Sequence, residues 1–415
     1  MLNQLNKIKN YFFSFIIALS ILSGQNTSNL LNVSINSGTG ESWWSKFNNF
    51  GHNSNSSFQN TTFEIEHQNF EFVSSIFSPL NNIADISFNE TYFKVTIKDD
   101  SFIRLGKYYR DFSTYLHDDI SSGSLLISNN AKAMPKIGIT STKYINRKNE
   151  MSFNYGISHG IFERNKFYKK APMLHEKFVY LKYDNDNIKW GVGLVHEAIW
   201  GGSTMSGRMP GVQPDSFKDF LKIIIAGDGP NEGGDHTNSL GNHLGIWDFY
   251  YSKKQHDIIL TIYYQHFFED TSGLRFANKT DGLWGIEFQN FIKNNTILIE
   301  YLNTFNQNID PPYVDDSYYI HGLYQSGWSY KGYTLGNPFI DFTNNNPSKV
   351  MHLGMKRILD DKYNFKFLLS RKIHESDNFK YHLMLGQLIK NISVNIVFSG
   401  EKNYNNIEMR LTFNL

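Results

Sequence analysis

The chain has 415 residues, no cysteine, 40 basic against 39 acidic residues, and 16% aromatic side chains. That length suits several soluble domains or one large barrel. The absence of cysteine excludes disulfides, thiolate metal sites, a cysteine nucleophile and a lipid-modified N-terminal cysteine, and the balanced charge leaves no footprint for nucleic acid.

Lys7 and Lys9 precede an apolar run from Tyr11 to Leu22, followed by Ser23 and Gly24, the three-part layout of a secretory signal peptide. The run is too short to span a bilayer, so residues 1–24 are read as a signal peptide rather than an uncleaved anchor. Residues 25–415 are then the mature chain, one barrel domain. Cleavage removes two lysines and no acid, leaving 38 basic and 39 acidic groups. No later stretch holds the roughly 18 consecutive apolar residues that a spanning helix needs. A membrane-inserted mature chain must therefore be a closed barrel.

Strands are expected from near Leu31 and Thr61 onward. Phe93, Val95 and Ile97 alternate with Lys94, Thr96 and Lys98; Met151, Phe153, Tyr155 and Ile157 alternate with Ser152, Asn154, Gly156 and Ser158. The pattern is apolar outward and polar inward. Short polar segments at Asp184 to Asn187, Lys293 to Asn295, Asp360 to Lys362 and Lys390-Asn391 suit hairpin turns.

From Ile199 to Ile246 the alternation stops. Within this Gly-rich stretch, Asp215-Ser216 followed by Phe217, Phe220, Leu221, Ile224 and Ile225 predicts a short helix, capped by Asp215 or Ser216 and stopped at Gly227. Its length marks residues 199–246 as a functional insertion, folding into the lumen, capping the mouth or running over the surface. A second irregular stretch, Gln307 to Ser317, carries Pro311-Pro312 and is expected to be an external loop.

Alternation resumes through Phe365, Phe367 and Leu369 and through Ile392, Val394, Ile396 and Phe398. It ends at Ile407 to Leu415, where every odd position is apolar. A barrel's last strand pairs with its first, so this segment is read as the closing strand and as the signal to the barrel-assembly machinery. The expected fold is all-β, a transmembrane antiparallel β-barrel of about 16–18 strands, 18 favoured, with a short helix in a long loop. A soluble sandwich or propeller also alternates, but no period of about 40 to 50 residues emerges, and 34 Phe with 24 Tyr suit interfacial girdles.

Segments outside the strands resemble the capsule-assembly outer-membrane proteins of the Wzi-like family, in its Bacteroidetes branch. They are Ser122 to Ala131 with Pro135-Lys136; Gly40-Glu41 with Trp43-Trp44 and Asn49 to Gly51; Ser158 to Gly160; Trp200 to Gly202; Gly241 to Gly245; Phe268 to Asp270; Glu300-Tyr301; and Tyr324 with Gly327-Trp328. The order runs through nearly the whole mature chain. The N-terminal helical bundle of the enterobacterial members is not evident between Gln25 and Thr62. The resemblance implies an outer-membrane barrel of about eighteen strands that binds capsular polysaccharide or exopolysaccharide at the cell surface, without catalysis or cofactor.

Sugar recognition uses flat apolar faces together with carboxylates, amides and hydroxyls. Trp200, Asn242, His243, Glu269, Asp270, Tyr324 and Trp328 supply that mixture outside the regular strands. Trp200 and Trp328 read equally well as girdle residues at the lipid headgroups. Glu269 and Asp270 are adjacent, so on a strand they point to opposite faces, unlike a glycosidase pair converging on one bond. His196-Glu197 lacks a second histidine four residues on, so no helical zinc motif is present, and the Gly-x-Ser-x-Gly match at Gly156 to Gly160 continues the alternating run from Met151 rather than making the strand-to-helix turn of a nucleophile elbow. The rival functions are a diffusion porin with an open, charge-lined lumen and, with less support, a barrel-embedded hydrolase.

Overall fold

A computed structural model describes the chain except residues 1–26, 39–41, 53–56, 83, 99, 146–147, 149, 230–238, 270–273, 308–317, 375–377 and 415. The signal peptide, Asp270, and all of the second irregular stretch but Gln307 lie outside the described residues. Eighteen strands form one antiparallel sheet. In chain order they are β1 (Thr27–Gly38), β2 (Phe58–His67), β3 (Phe70–Pro79), β4 (Ser87–Lys98), β5 (Ser101–Tyr108) and β6 (Met134–Tyr144). There follow β7 (Met151–Ile161), β8 (Met173–Asp184), β9 (Ile188–Trp200), β10 (Asn242–Gln255), β11 (Ile258–Phe268) and β12 (Gly282–Gln289). The last six are β13 (Asn295–Asn303), β14 (Lys349–Leu359), β15 (Tyr363–Lys372), β16 (Lys380–Ile389), β17 (Ile392–Glu401) and β18 (Tyr404–Asn414).

Each strand pairs with its sequence neighbour, and β1 pairs with both β2 and β18, so the sheet closes. The closing register runs from Leu30 opposite Asn414 to Gly38 opposite Asn406. No helix among the described residues is long and apolar enough to cross a membrane.

Burial is inverted relative to a water-soluble protein. In β7, Ser152, Asn154 and Ser158 are buried while Phe153, Tyr155, Ile157 and Ile161 are exposed. In β18, Glu408 is buried and Ile407 and Met409 are exposed. This is the pattern of a barrel whose outer face meets hydrocarbon, where exposed apolar side chains carry no hydrophobic penalty.

The short connections, at 68–69, 99–100, 185–187, 256–257, 360–362 and 390–391, lie at one end with both barrel termini. The longest, at 39–57, 109–133, 201–241 and 304–348, lie at the other. Short turns face the periplasm in barrels of this type and long loops face outward. Of the turns that the polar spacing marks, Asn294, Asp360, Asp361 and Lys390 have positive φ, as do Gln68, Asp100 and His256 in turns that it does not.

Two short helices are described, α1 (Trp43–Lys46) and α2 (Phe217–Ile224). Ser216 caps α2 by accepting from the Asp219 amide, and Asp219 returns the bond to the Ser216 amide. At the other end Ala226, with φ 51°, takes the left-handed position. Gly227 follows it, its amide donating to the Lys222 carbonyl.

The long insertion departs from expectation. β9 continues to Trp200 and β10 starts at Asn242, so only 201–241 is inserted, and α2 lies against the outside of the wall. Ile223 packs with Ala198, Trp200 and Leu240, and positions 198 and 200 face outward in register with His175 and Met173 of β8. The lumen is filled by 109–133 and 318–340 instead, which share one buried apolar cluster with the inward-facing wall.

Met409 lies mid-strand on the lipid face of β18. Met409→Arg should cost about 2 to 4 kcal/mol and sharply lower the yield of heat-modifiable, folded barrel. Normal assembly would show that this face does not meet lipid.

Candidate functional site

The segment 109–133 can enter the barrel because it carries apolar bulk and hydrogen-bond donors together. Phe112, Leu116, Ile120, Leu125, Leu126 and Ile127 are buried. Arg110 folds the segment on itself, donating to both Asp118 carboxylate oxygens at 2.7 and 2.9 Å and to the Ile127 carbonyl. Inward-facing carboxylates of the wall hold the rest. Asp248 of β10 accepts from Ser113, Tyr115 and Tyr180. Glu300 of β13 accepts from the Ser121 hydroxyl at 2.7 Å, the Ser122 amide at 2.6 Å and Tyr263 at 2.5 Å. His117 meets Glu287 at 2.7 Å, and the Leu125 amide donates to Gln265 at 3.0 Å. A buried carboxylate is stable only when its oxygens are satisfied in this way.

The segment 318–340 closes over this plug. Trp328 donates through Nε1 to the Leu126 carbonyl at 2.8 Å, Tyr319 donates to the Leu125 carbonyl, and Asn337 donates to the Ser122 hydroxyl and the Gly123 carbonyl. Gly327, with φ 61°, makes the bend before Trp328; an added Cβ would sit 2.4 Å from the Tyr319 carbonyl oxygen. At the rim, Asp281 accepts from Asn303 at 2.9 Å, from the Asn306 amide and from Tyr318 at 2.9 Å. Burial pushes this carboxyl up from the ordinary 3.8 to about 6, against those hydrogen bonds.

The expected site residues fall into separate places. Trp200 (4% exposed) and His243 are on the outer wall beneath α2, with His243 Nδ1 2.9 Å from His196 Nε2, whereas Asn242 is buried at the start of β10 opposite lumen-facing Ile199. Tyr324 (1%) and Trp328 (0%) are inside the plug, where Tyr324 donates to the Gly201 carbonyl across the rim. Glu269 is half-buried at the bend after β11, and Asp270 is outside the described residues. The three aromatic rings are buried in protein rather than standing free, Trp200 under α2 and Tyr324 and Trp328 within the plug. Trp328 lies inside the plug, which removes the girdle reading for it.

Exposed features of the outer end come from residues the sequence reading did not single out. Lys107 and Lys132 reach back to the Phe88 carbonyl and the Ser87 hydroxyl at the top of β4. Lys331, at the tip of the hairpin pairing Tyr330 with Tyr333, bonds Glu163. Burial first, then repulsion from Lys107 and Lys331, holds the Lys132 ammonium below the usual lysine range. Beside this cluster stand Phe50, packed on Tyr109, and Phe47, at 6.5 Å from Tyr333. Lys132 directly follows the Ser122 to Ala131 segment, the one local hint; the other lysines are distant in sequence. Among the described residues no group of three His, Asp or Glu could hold a metal ion.

The sequence profile of the family described as capsule assembly protein Wzi matches residues 32–413. Among solved structures, the chain is similar to Wzi of Escherichia coli, an outer-membrane protein involved in group 1 capsule assembly and a carbohydrate-binding β-barrel. The TM-score is 0.62 at 14% identity, covering 94% of this chain and 85% of that one. A Rhodopseudomonas blastica porin aligns at TM-score 0.42 and 10% identity over 94% and 99% of the two chains. Salmonella typhi OmpF aligns at 0.44 and 8% over 94% and 98%. No curated protein matches the sequence.

Two outcomes test the plug. Glu300→Ala leaves the Ser122 amide and two hydroxyls without their acceptor, each charged bond contributing about 1.5 to 3 kcal/mol; it should expose 109–133 to protease and raise ion conductance, and an unchanged, closed barrel would refute the anchoring role. Asp281, with its folded value raised from 3.8 to about 6, favours the folded cap most below the ordinary value, and that stabilisation is lost as pH rises through the folded one. Hydrogen exchange at 304–306, corrected for intrinsic rate, should therefore quicken from about pH 4 to 6 and lose that dependence in Asp281→Asn.

Proposed function

The chain belongs to the capsule-assembly Wzi family and is an outer-membrane β-barrel, and from that premise we propose that it binds capsular polysaccharide or exopolysaccharide at the cell surface and helps attach or assemble the capsule there. The observation that carries the reading is the filled lumen beneath a basic, aromatic outer face. A plugged barrel with Lys107, Lys132 and Lys331 beside Phe47, Phe50 and Tyr333 suits surface retention of a polymer: rings stack on the C–H faces of sugars, and ammonium groups meet hydroxyls and acidic substituents. A diffusion porin needs an open passage at the level where Asp248, Glu287 and Glu300 instead hold the plug.

Catalysis is not part of the proposal: Glu269 stands apart from the lumenal carboxylates Asp248, Glu287 and Glu300, which accept from plug donors. No cofactor is required. Residues 1–24 are taken as the signal peptide, 25–415 as a single barrel domain, and Ile407 to Leu415 as the strand that the barrel-assembly machinery recognises. The outer band is taken to meet membrane lipid. Trp200, Asn242, His243, Glu269, Asp270, Tyr324 and Trp328 remain in the proposal as supports of the outer face, reached by sugar only where loops open.

The purified, detergent-folded protein should bind the producing strain's own polysaccharide saturably while showing no steady single-channel conductance. Lys107→Ala combined with Lys331→Ala should lower that affinity about tenfold, the scale of 1.4 kcal/mol, without loss of fold. Large conductance without binding would instead identify a porin.

A further inference from the structure

The outer wall carries a polar patch where lipid is expected. His159 of β7, His175 and Lys177 of β8, His196 of β9 and His243 of β10 all take outward positions near the extracellular end. His175, His196 and His243 are nonetheless buried: Phe220 of α2 covers His175, His196 lies against His243 and Phe268, and His243 meets the Leu240 carbonyl. Phe220 meets His159 and His175 edge-on at 5.3 and 5.5 Å and tilts over Trp200 at 5.6 Å. Ile223 is wholly buried, and the Lys177 ammonium donates to the Ile224 carbonyl at the negative end of the helix.

The far side of the helix is apolar as well. Phe217, Leu221 and Ile225, spaced four apart, form one stripe and are 74%, 48% and 76% exposed. Lys218 and Lys222 flank that stripe. A helix with one apolar face on protein, a second apolar stripe outward and lysines at its edge is suited to a lipid interface rather than to water.

Below Phe220 the helix overhangs a crevice of about 350 Å³, lined by Ile103, Ile137, Ile139, Ile157, His159 and His175, among others. Its isoleucines belong to the exposed apolar band of β5 to β7, so it opens directly onto the lipid-facing surface. Its volume falls in the roughly 300 to 1,000 Å³ range of ligand sites. The ring nitrogens of His175 have no protein partner among the described residues, which leaves polar atoms at the helix end of an otherwise apolar slot.

We propose that α2 is an interfacial membrane helix of the external leaflet, with Phe217, Leu221 and Ile225 among acyl chains, and that one lipid acyl chain occupies the crevice between Phe220 and the outer wall. The helix replaces a wall too polar for lipid with an apolar surface continuous with the band below. This rests on the outer-membrane reading, and the controls separate the two.

The chain has no cysteine, so Leu221→Cys, Ile157→Cys and Asn345→Cys each carry one nitroxide label in phosphatidylethanolamine vesicles. The label at 221 should collide with oxygen more than with a water-soluble nickel chelate, as at 157 and unlike at 345. Water-like collisions at 221 with lipid-like ones at 157 overturn the proposal alone, whereas water-like collisions at both overturn the membrane reading. Protection of 221 from both reagents indicates a covering protein and also overturns it. Native mass spectrometry of the delipidated barrel should then show one retained acylated lipid, lost in Phe220→Ala with heat-modifiability intact. Equal retention by that variant, or retention of no lipid, overturns the acyl-chain assignment.

Discussion

The pairing of β1 with β18 is the constraint on which the rest depends. In hydrocarbon an unpaired backbone amide or carbonyl costs several kcal/mol, so a sheet crossing the membrane has no tolerable edge. The register from Leu30–Asn414 to Gly38–Asn406 removes that edge. Once closure is required, each strand has a lipid side and a lumen side, and the two-residue repeat assigns every strand residue to one of them.

Closure creates a second problem, an interior lined by polar and charged side chains. Eighteen strands enclose more space than wall side chains can fill. The β5–β6 loop solves this by bringing donors to Asp248, Glu287 and Glu300 and packing leucines, isoleucines and Phe112 between them. The 318–340 segment seals it through Trp328 and Asn337. What remains for function is the outer end, where cations and rings from three separate loops and the end of β5 meet. A similar compensation operates outside, where α2 covers part of the histidine-bearing stretch of β7 to β10.

Local physics was legible in the amino-acid order. Alternation in Met151 to Ile157 and in the terminal segment marked strands and their facing. Polar dipeptides marked hairpins, and Ser216 marked the start of α2. Each depends on residues within a few positions of one another, so the signal survives without knowledge of the partner. The family resemblance lay in the same order, and its Ser122 to Ala131 segment proved to be the heart of the plug, a role that its own residues did not announce.

The candidate site was legible only in kind. Trp200 and Trp328 carried the right chemistry, yet an indole beside glycine serves a sugar platform, a girdle or a packed core equally well. Bonds spanning 202 residues for Trp328–Leu126 and 178 for Ser122–Glu300 decided among these. The same ambiguity hid the side of the wall on which 201–241 would lie, because lipid and a protein core select the same side chains. The sequence by itself determined strands, turns, facing and closure, since these follow from short-range periodicity and an unforgiving solvent. Only the tertiary structure decided which loop fills the lumen, which covers the outer wall and which lysines meet at the mouth, since those outcomes depend on surfaces that exist only after the barrel has closed.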